Sequence, residues 1–241
     1  MKTVLITGAN ESIGFETARQ LLAKGNYFVY IGSRDLARGT EAVNQLKSEG
    51  FTDVDVLQLD VSNTQSIAQA AKTLQAKTPH LDVLINNAGI PGVMPQEASS
   101  VTQENIRNVF DTNFFGVIET TQAFLPMLKK SDAARIVNVS SDLGSLGNHT
   151  NPEWRHFDVK PTAYCASKTA LNAYTVMLAY ELRDTTFKVN SVNPGYTATD
   201  FNNHTGYKTV EEGAQPVVTY ATIGNDGPTG KFFSAEGESA W

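Results

Sequence analysis

Short apolar runs of strand character alternate with segments of helical spacing along this chain. The runs are Lys2 to Thr7, Tyr27 to Gly32, Val54 to Leu59, Val83 to Asn86, Arg135 to Ser140 and Lys188 to Asn193, with a last one near Gly230 to Phe233. Their near-continuous Val, Ile and Leu suits strands covered on both faces. Helical spacing occupies Ile13 to Lys24, Leu36 to Ser48, Thr64 to Lys77, Phe114 to Lys129 and Ala163 to Arg183. Connections of that length are crossovers. The pattern therefore predicts an α/β fold, one doubly wound domain over residues 1–241 with a mainly parallel sheet of about seven strands. Ligands of such sheets gather at the carboxyl ends of the strands. Two less regular stretches, Asp142 to Thr162 and the one beginning near Phe201, are candidate pocket walls.

Charge removes several classes of function. Nineteen Lys and Arg against twenty-five Asp and Glu give a net charge of −6, so a nucleic-acid backbone or an anionic bilayer is on average repelled. No apolar run approaches a membrane span, and the segment after Met1 is too short for a signal-peptide core. The only cysteine, Cys165, has no intrachain partner, which fits a reducing compartment. The expectation is a soluble cytoplasmic protein without nucleic-acid or membrane partners. His149 and His156 have no third ligand at useful spacing, so no metal site is expected.

After the first strand comes Thr7-Gly8-Ala9-Asn10-Glu11-Ser12-Ile13-Gly14, running straight into a helix. Small residues there let the backbone approach a pyrophosphate, and a helix N-terminus presents free N–H groups and partial positive charge. The segment resembles the Thr-Gly-x-x-x-Gly-x-Gly fingerprint of the short-chain dehydrogenase/reductase family, which implies a Rossmann fold and a dinucleotide. Gly8 and Gly14 match it, while Ser12 stands where the family has its middle glycine. Gly8, Asn10, Ser12, Ile13 and Gly14 are thus candidate cofactor contacts.

The second strand ends in Gly32-Ser33-Arg34-Asp35. An NAD site places a carboxylate here on the adenosine ribose, and Ser33 holds that position instead. The Arg34 guanidinium can pair with the extra 2′-phosphate of NADP, with Arg38 one turn later in support. NADP(H) is the expected cofactor; the competing reading of Arg34 is a solvated turn residue. Asp60 and Val61 follow the third strand, and Asn86-Asn87-Ala88-Gly89 follows the fourth. In the family the matching Asp contacts adenine, and Asn87, Ala88 and Gly89 fall where the family supports sheet and cofactor. Asp60 reads equally well as a turn or N-cap residue.

Tyr164 and Lys168 are four residues apart in Tyr164-Cys165-Ala166-Ser167-Lys168, hence on one face of a helix. They resemble the family's Tyr-x-x-x-Lys pair. The resemblance implies that Tyr164 exchanges a proton with the substrate oxygen while Lys168 binds the ribose and lowers the phenol's pKa. Upstream, Ile136-Val137-Asn138-Val139-Ser140-Ser141 puts Ser141 on the family serine that holds the substrate carbonyl. Ser140 is the alternative, because adjacent serines point in different directions. Asn113, in Thr112-Asn113-Phe114-Phe115-Gly116, matches the family asparagine that helps hold a proton-relay water; its other reading is a helix-kink or capping amide. Pro194-Gly195-Tyr196-Thr197-Ala198-Thr199 resembles the family's turn beside the nicotinamide, with Thr197 and Thr199 as candidate carboxamide contacts.

The closing Gly227-Pro228-Thr229-Gly230-Lys231-Phe232-Phe233 resembles carbonyl-reductase-like members, which implies reduction of a small ketone or aldehyde; a catalytically silent NADP-sensing or scaffold protein and an NAD-preferring alcohol dehydrogenase are the alternatives. Ser141 and Tyr164 are 23 residues apart, a wider offset than in many members. The intervening loop carries Trp154, Arg155, His156 and Phe157. With Phe201 near it, Trp154 suggests an apolar pocket. Monomer, homodimer and homotetramer all stay open.

Overall fold

The computed structural model describes residues 1–241. In chain order the elements are β1 (Lys2–Thr7), α1 (Ser12–Ala23), β2 (Tyr27–Ser33), α2 (Leu36–Ser48), β3 (Val54–Gln58), α3 (Thr64–Lys77), β4 (Val83–Asn86), α4 (Gln103–Phe110), a π-helical turn (Asp111–Phe115), α5 (Gly116–Leu128) and β5 (Arg135–Val139). There follow a 3₁₀ turn (Asp142–Gly144), α6 (Leu146–His149), α7 (Thr162–Glu181), β6 (Lys188–Val192), a 3₁₀ turn (Asp200–Asn202), α8 (Val210–Ala221), β7 (Phe232–Ser234) and β8 (Gly237–Glu238).

The strands form one sheet in the order β3-β2-β1-β4-β5-β6-β7-β8. Every pairing is parallel except β7 with β8. The expected doubly wound architecture is present, with eight strands where about seven were read from the sequence. The extra one is a two-residue strand, too short to show any alternation.

Strand alternation divides the core into two layers. Val4 and Ile6 of β1 face α1, α2 and α8, whereas Leu5 between them faces α3, α5 and α7. Each fully buried Leu or Ile contributes about 2 kcal/mol of apolar burial, and both faces of β4 are sealed. Because β1 leads to β2 and β3 on one side and β4 starts the other, the crevice must open at the carboxyl ends of β1 and β4.

Helix bounds differ from expectation where polar contacts intervene. The helix expected from Phe114 starts earlier, because α4 runs through the π turn into α5 without a break. The irregular stretch after Phe201 ends at Thr209, which caps α8 reciprocally with Glu212. The stretch after Asp142 contains the one-turn helix α6. No helix is long and apolar enough to cross a membrane.

Candidate active site

A cleft of about 650 Å³ lies along the carboxyl ends of the strands. It is lined by Gly8, Asn10, Ser12, Ile13 and Gly14 after β1, by Ser33, Arg34 and Arg38 after β2, and by Asp60 and Val61 after β3. Asn87, Ala88 and Gly89 continue the wall after β4, and Ser140, Ser141, Tyr164, Lys168, Pro194, Gly195, Thr197 and Thr199 complete it. The fold thus gathers into one cleft every candidate catalytic and cofactor residue named above except Asn113, which is fully buried behind the wall.

The glycine-rich turn is shaped by close approach. A Cβ on Gly14 would lie 2.6 Å from both the Asn87 amide nitrogen and the Gly8 carbonyl oxygen, and one on Gly8 would meet the Ala88 backbone at 3.0 Å. Asn87 ties the turn down by donating from Nδ2 to the carbonyls of Thr7 (2.9 Å) and Gly8 (3.0 Å). The Thr7 hydroxyl accepts from the backbone N–H of Asn87 and Ala88, both at 3.0 Å. No side chain caps α1, so its first N–H groups face the cleft with their partial positive charge. An uncapped helix start beside a cradle that any Cβ would fill fits a pyrophosphate. Ser12 adopts φ +54° in the left-handed region, the backbone shape for which the family uses glycine.

At the far end, Arg34 lines the cleft with no hydrogen bond or ion pair on its guanidinium. Arg38, expected to assist it, is instead held in an ion pair with Glu11 of the glycine-rich turn. Asp35 spends its carboxylate on the N–H groups of Ala37 and Arg38 at the start of α2. Asp60 likewise closes its own turn, accepting from the N–H and hydroxyl of Ser62 at 3.0 and 2.7 Å. Its turn role is therefore real, although the residue also lines the cleft.

At the other end, Tyr164 and Lys168 project from the first turns of α7. The Lys168 ammonium donates to the Val139 carbonyl oxygen at 2.8 Å and lies 5.7 Å from the Tyr164 ring centroid. Burial lowers its pKa to about 8. The expected lowering of the phenol by this ammonium is absent. Burial instead pushes Tyr164 well above the ordinary range, opposed by the nearby Ser141 hydroxyl and reinforced by the negative charge of Asp142. The ammonium is aimed at a backbone carbonyl, so the phenol stays protonated at neutral pH.

Of the two serines, Ser141 is the one near enough to the phenol to favour its ionised form; its hydroxyl donates to Asp142 Oδ1 at 3.3 Å and caps the Asp142–Gly144 turn by accepting from Leu143 N–H at 3.2 Å. Ser140 lines the cleft with its hydroxyl unpartnered. Gly144 brings the turn into place, since a Cβ there would stand 2.9 Å from the Lys168 backbone. Thr197 donates to the Gly195 carbonyl at 3.2 Å, bracing the turn that Gly195 makes at φ +81°.

Asn113 sits in the π turn, a device that re-aims a side chain within a helix. Its Oδ1 accepts from the Ile90 N–H at 2.8 Å, and its Nδ2 donates to the Ile90 carbonyl at 2.9 Å and the Ser167 hydroxyl at 3.1 Å. Sequence reasoning missed its counterpart, the buried Gln96. That side chain accepts from the Tyr164 N–H at 3.1 Å and donates to the Pro91 carbonyl at 2.6 Å, capping α7 where Pro161 offers no side chain of its own. It also missed a buried polar chain from Asn86 to Asn138 (2.8 Å), Asn138 to Thr175 (2.9 Å) and Thr175 to Ser191 (2.8 Å), which locks β4, β5 and β6 to α7.

The substrate side is walled by Leu143, His156, Val159, Tyr196 and Phe201. Phe201 packs edge-on against Tyr164 with ring centroids 5.5 Å apart. Trp154 does not line the cleft. It is sandwiched edge-on between His149 and His156 at 5.3 and 5.5 Å, packing the loop. His149 is engaged by the Leu143 carbonyl and Lys160.

A model of the short chain dehydrogenase family matches residues 2–209. Over 95% of its length the chain is 34% identical to (+)-neomenthol dehydrogenase of Capsicum annuum, covering 94% of that protein. It is 32% identical to salutaridine reductase of Papaver bracteatum, with 100% of this chain and 96% of that one covered. NADPH-bound carbonyl reductase from chicken fatty liver has the same fold, with a TM-score of 0.87 at 27% identity over 100% of this chain and 99% of that one. With family match, sheet order and cleft all in agreement, the chain belongs to the short chain dehydrogenase family and is an oxidoreductase.

Proposed function

We propose that this protein reduces the carbonyl of a small ketone or aldehyde with NADPH, Tyr164 delivering the proton. The observation that carries the reading is the convergence of Tyr164, Ser141 and Lys168 at one end of a cleft whose other end is a glycine cradle flanked by Arg34. The printed activities of its relatives, a neomenthol dehydrogenase and a salutaridine reductase, support a carbonyl or alcohol substrate. The NADPH in the chicken carbonyl reductase supports the choice of cofactor, as does the free guanidinium of Arg34 beside Ser33, which stands where an NAD site has an acid. The lone Cys165 suits work in the reducing cytoplasm.

When bound, the nicotinamide cofactor supplies the hydride for the carbonyl carbon. Ser141 donates a hydrogen bond to the carbonyl oxygen, polarising it and fixing its distance from the phenol. Tyr164, kept protonated by burial, gives its proton to that oxygen as negative charge develops there. Lys168 is charged at neutral pH and poised on the Val139 carbonyl, from which its remaining N–H groups can reach a ribose hydroxyl. Asn113 holds Ile90, and with it the Gly89 strip of the wall, in place.

The test is NADPH oxidation with a panel of cyclic ketones and aryl aldehydes, for the protein and for Tyr164→Phe. Turnover in the former and its loss by a factor of about 10³ in the latter, with NADPH still bound, is the expected result. An active Phe variant refutes the assigned proton donor.

A further inference from the structure

The adenosine end of the cleft is less positive than its two arginines suggest. Arg34 and Arg38 share it with three carboxylates, those of Glu11, Asp35 and Asp60. Two of the three are already spent: Asp35 on the N–H groups at the start of α2, and Asp60 on Ser62. Glu11 is different. It makes no cap for α1, and its carboxylate reaches across to the Arg38 guanidinium, a residue 27 positions later on another helix. The pair therefore spans the cleft rim between the glycine-rich turn and α2.

We propose that Glu11 is a specificity-determining residue that restrains recognition of the 2′-phosphate by holding Arg38 away from it. This rests on the reading that the cleft takes NADP(H). A 2′-phosphate arriving beside Arg34 finds one free guanidinium. To gain the second it must draw Arg38 off Glu11, and the released carboxylate then repels the phosphate across the same rim. A cofactor without that phosphate leaves the Glu11–Arg38 pair intact. Glu11 thus narrows the gap in affinity between phosphorylated and unphosphorylated cofactor that two unpaired arginines would open. Both side chains are about half exposed, at 53% for Arg38 and 44% for Glu11, so the pair is weak enough to be exchanged.

Calorimetric titration with 2′,5′-ADP and with 5′-AMP tests this without any turnover. Glu11→Gln, an exposed and isosteric change, is expected to tighten 2′,5′-ADP by about fivefold while 5′-AMP changes by less than about twofold, the scale of one exposed ion pair. Adding Arg38→Gln should erase that gain. An unchanged ratio of the two affinities in Glu11→Gln, or a gain that survives loss of Arg38, overturns the inference alone. Binding of neither nucleotide to the unaltered protein overturns the cofactor reading and the inference with it.

Discussion

Asn113 holds both polar groups of the Ile90 backbone, accepting from its N–H at 2.8 Å and donating to its carbonyl at 2.9 Å. Its remaining N–H goes to Ser167, one residue before the cleft lysine. One fully buried amide therefore connects the wall after β4 to α7. Asn113→Ala should cost about 2–4 kcal/mol in urea denaturation, since it strands an N–H and a carbonyl that water cannot easily reach. It should also raise the Michaelis constant for NADPH, because the Gly89 strip loses its support. A variant as stable as the parent removes Asn113 from this role.

Asp142 raises the pKa of Tyr164 by its charge. Asp142→Asn keeps an oxygen acceptor for the Ser141 hydroxyl, now at 3.3 Å from Asp142 Oδ1, and removes only that charge. The phenol's pKa should fall. Carbonyl reduction needs the phenol protonated, so the alkaline limb of kcat/KM should move to lower pH. Alcohol oxidation needs the phenolate, so its acidic limb should move the same way. A limb displaced upward contradicts the electrostatic account.

Ser12→Gly tests the odd residue in the glycine-rich turn. An L-residue in the left-handed region costs about 1–2 kcal/mol, and glycine gives part of that back through its greater freedom in the unfolded chain. With φ at +54°, the substitution should raise stability by about 0.5–1 kcal/mol and leave NADPH affinity nearly unchanged. Total loss of binding would show that the Ser12 side chain is a required ligand.

What the sequence made legible is what local pattern encodes. β1 and β4 and the helices α2 and α3 fall on the residues that apolar runs and helical spacing mark out. The cleft residues sit at strand ends, where doubly wound sheets place them. Illegible were relations between single polar side chains far apart in the chain. Gln96 reaching the N-terminus of α7, Glu11 capturing Arg38, and Asn138 bridging Asn86 to Thr175 leave no periodic trace. The pKa of Tyr164 failed for a related reason. Four-residue spacing places Lys168 on the same face, but only the third dimension shows its ammonium turned to Val139 and the phenol crowded by the cleft wall beside Phe201 and Asp142.

The lysine gives the last prediction. Its pKa is about 8 in the fold against roughly 10.4 for an unperturbed lysine, because burial penalises the ammonium. A depressed lysine is a cost carried wherever the group is charged in both states, so it is fully present below about pH 8. It fades as pH rises, and is gone above about 10.4, where both states are neutral. Two units or more of shift correspond to about 3 kcal/mol, less about 1 kcal/mol for the hydrogen bond to Val139 that a substitution gives up. Lys168→Met should therefore be more stable than the parent by about 2 kcal/mol at pH 7, while losing turnover. The advantage should shrink between pH 8 and 10 in urea titrations. An advantage independent of pH would mean that packing of the methionine, and not removal of a buried charge, stabilises the variant.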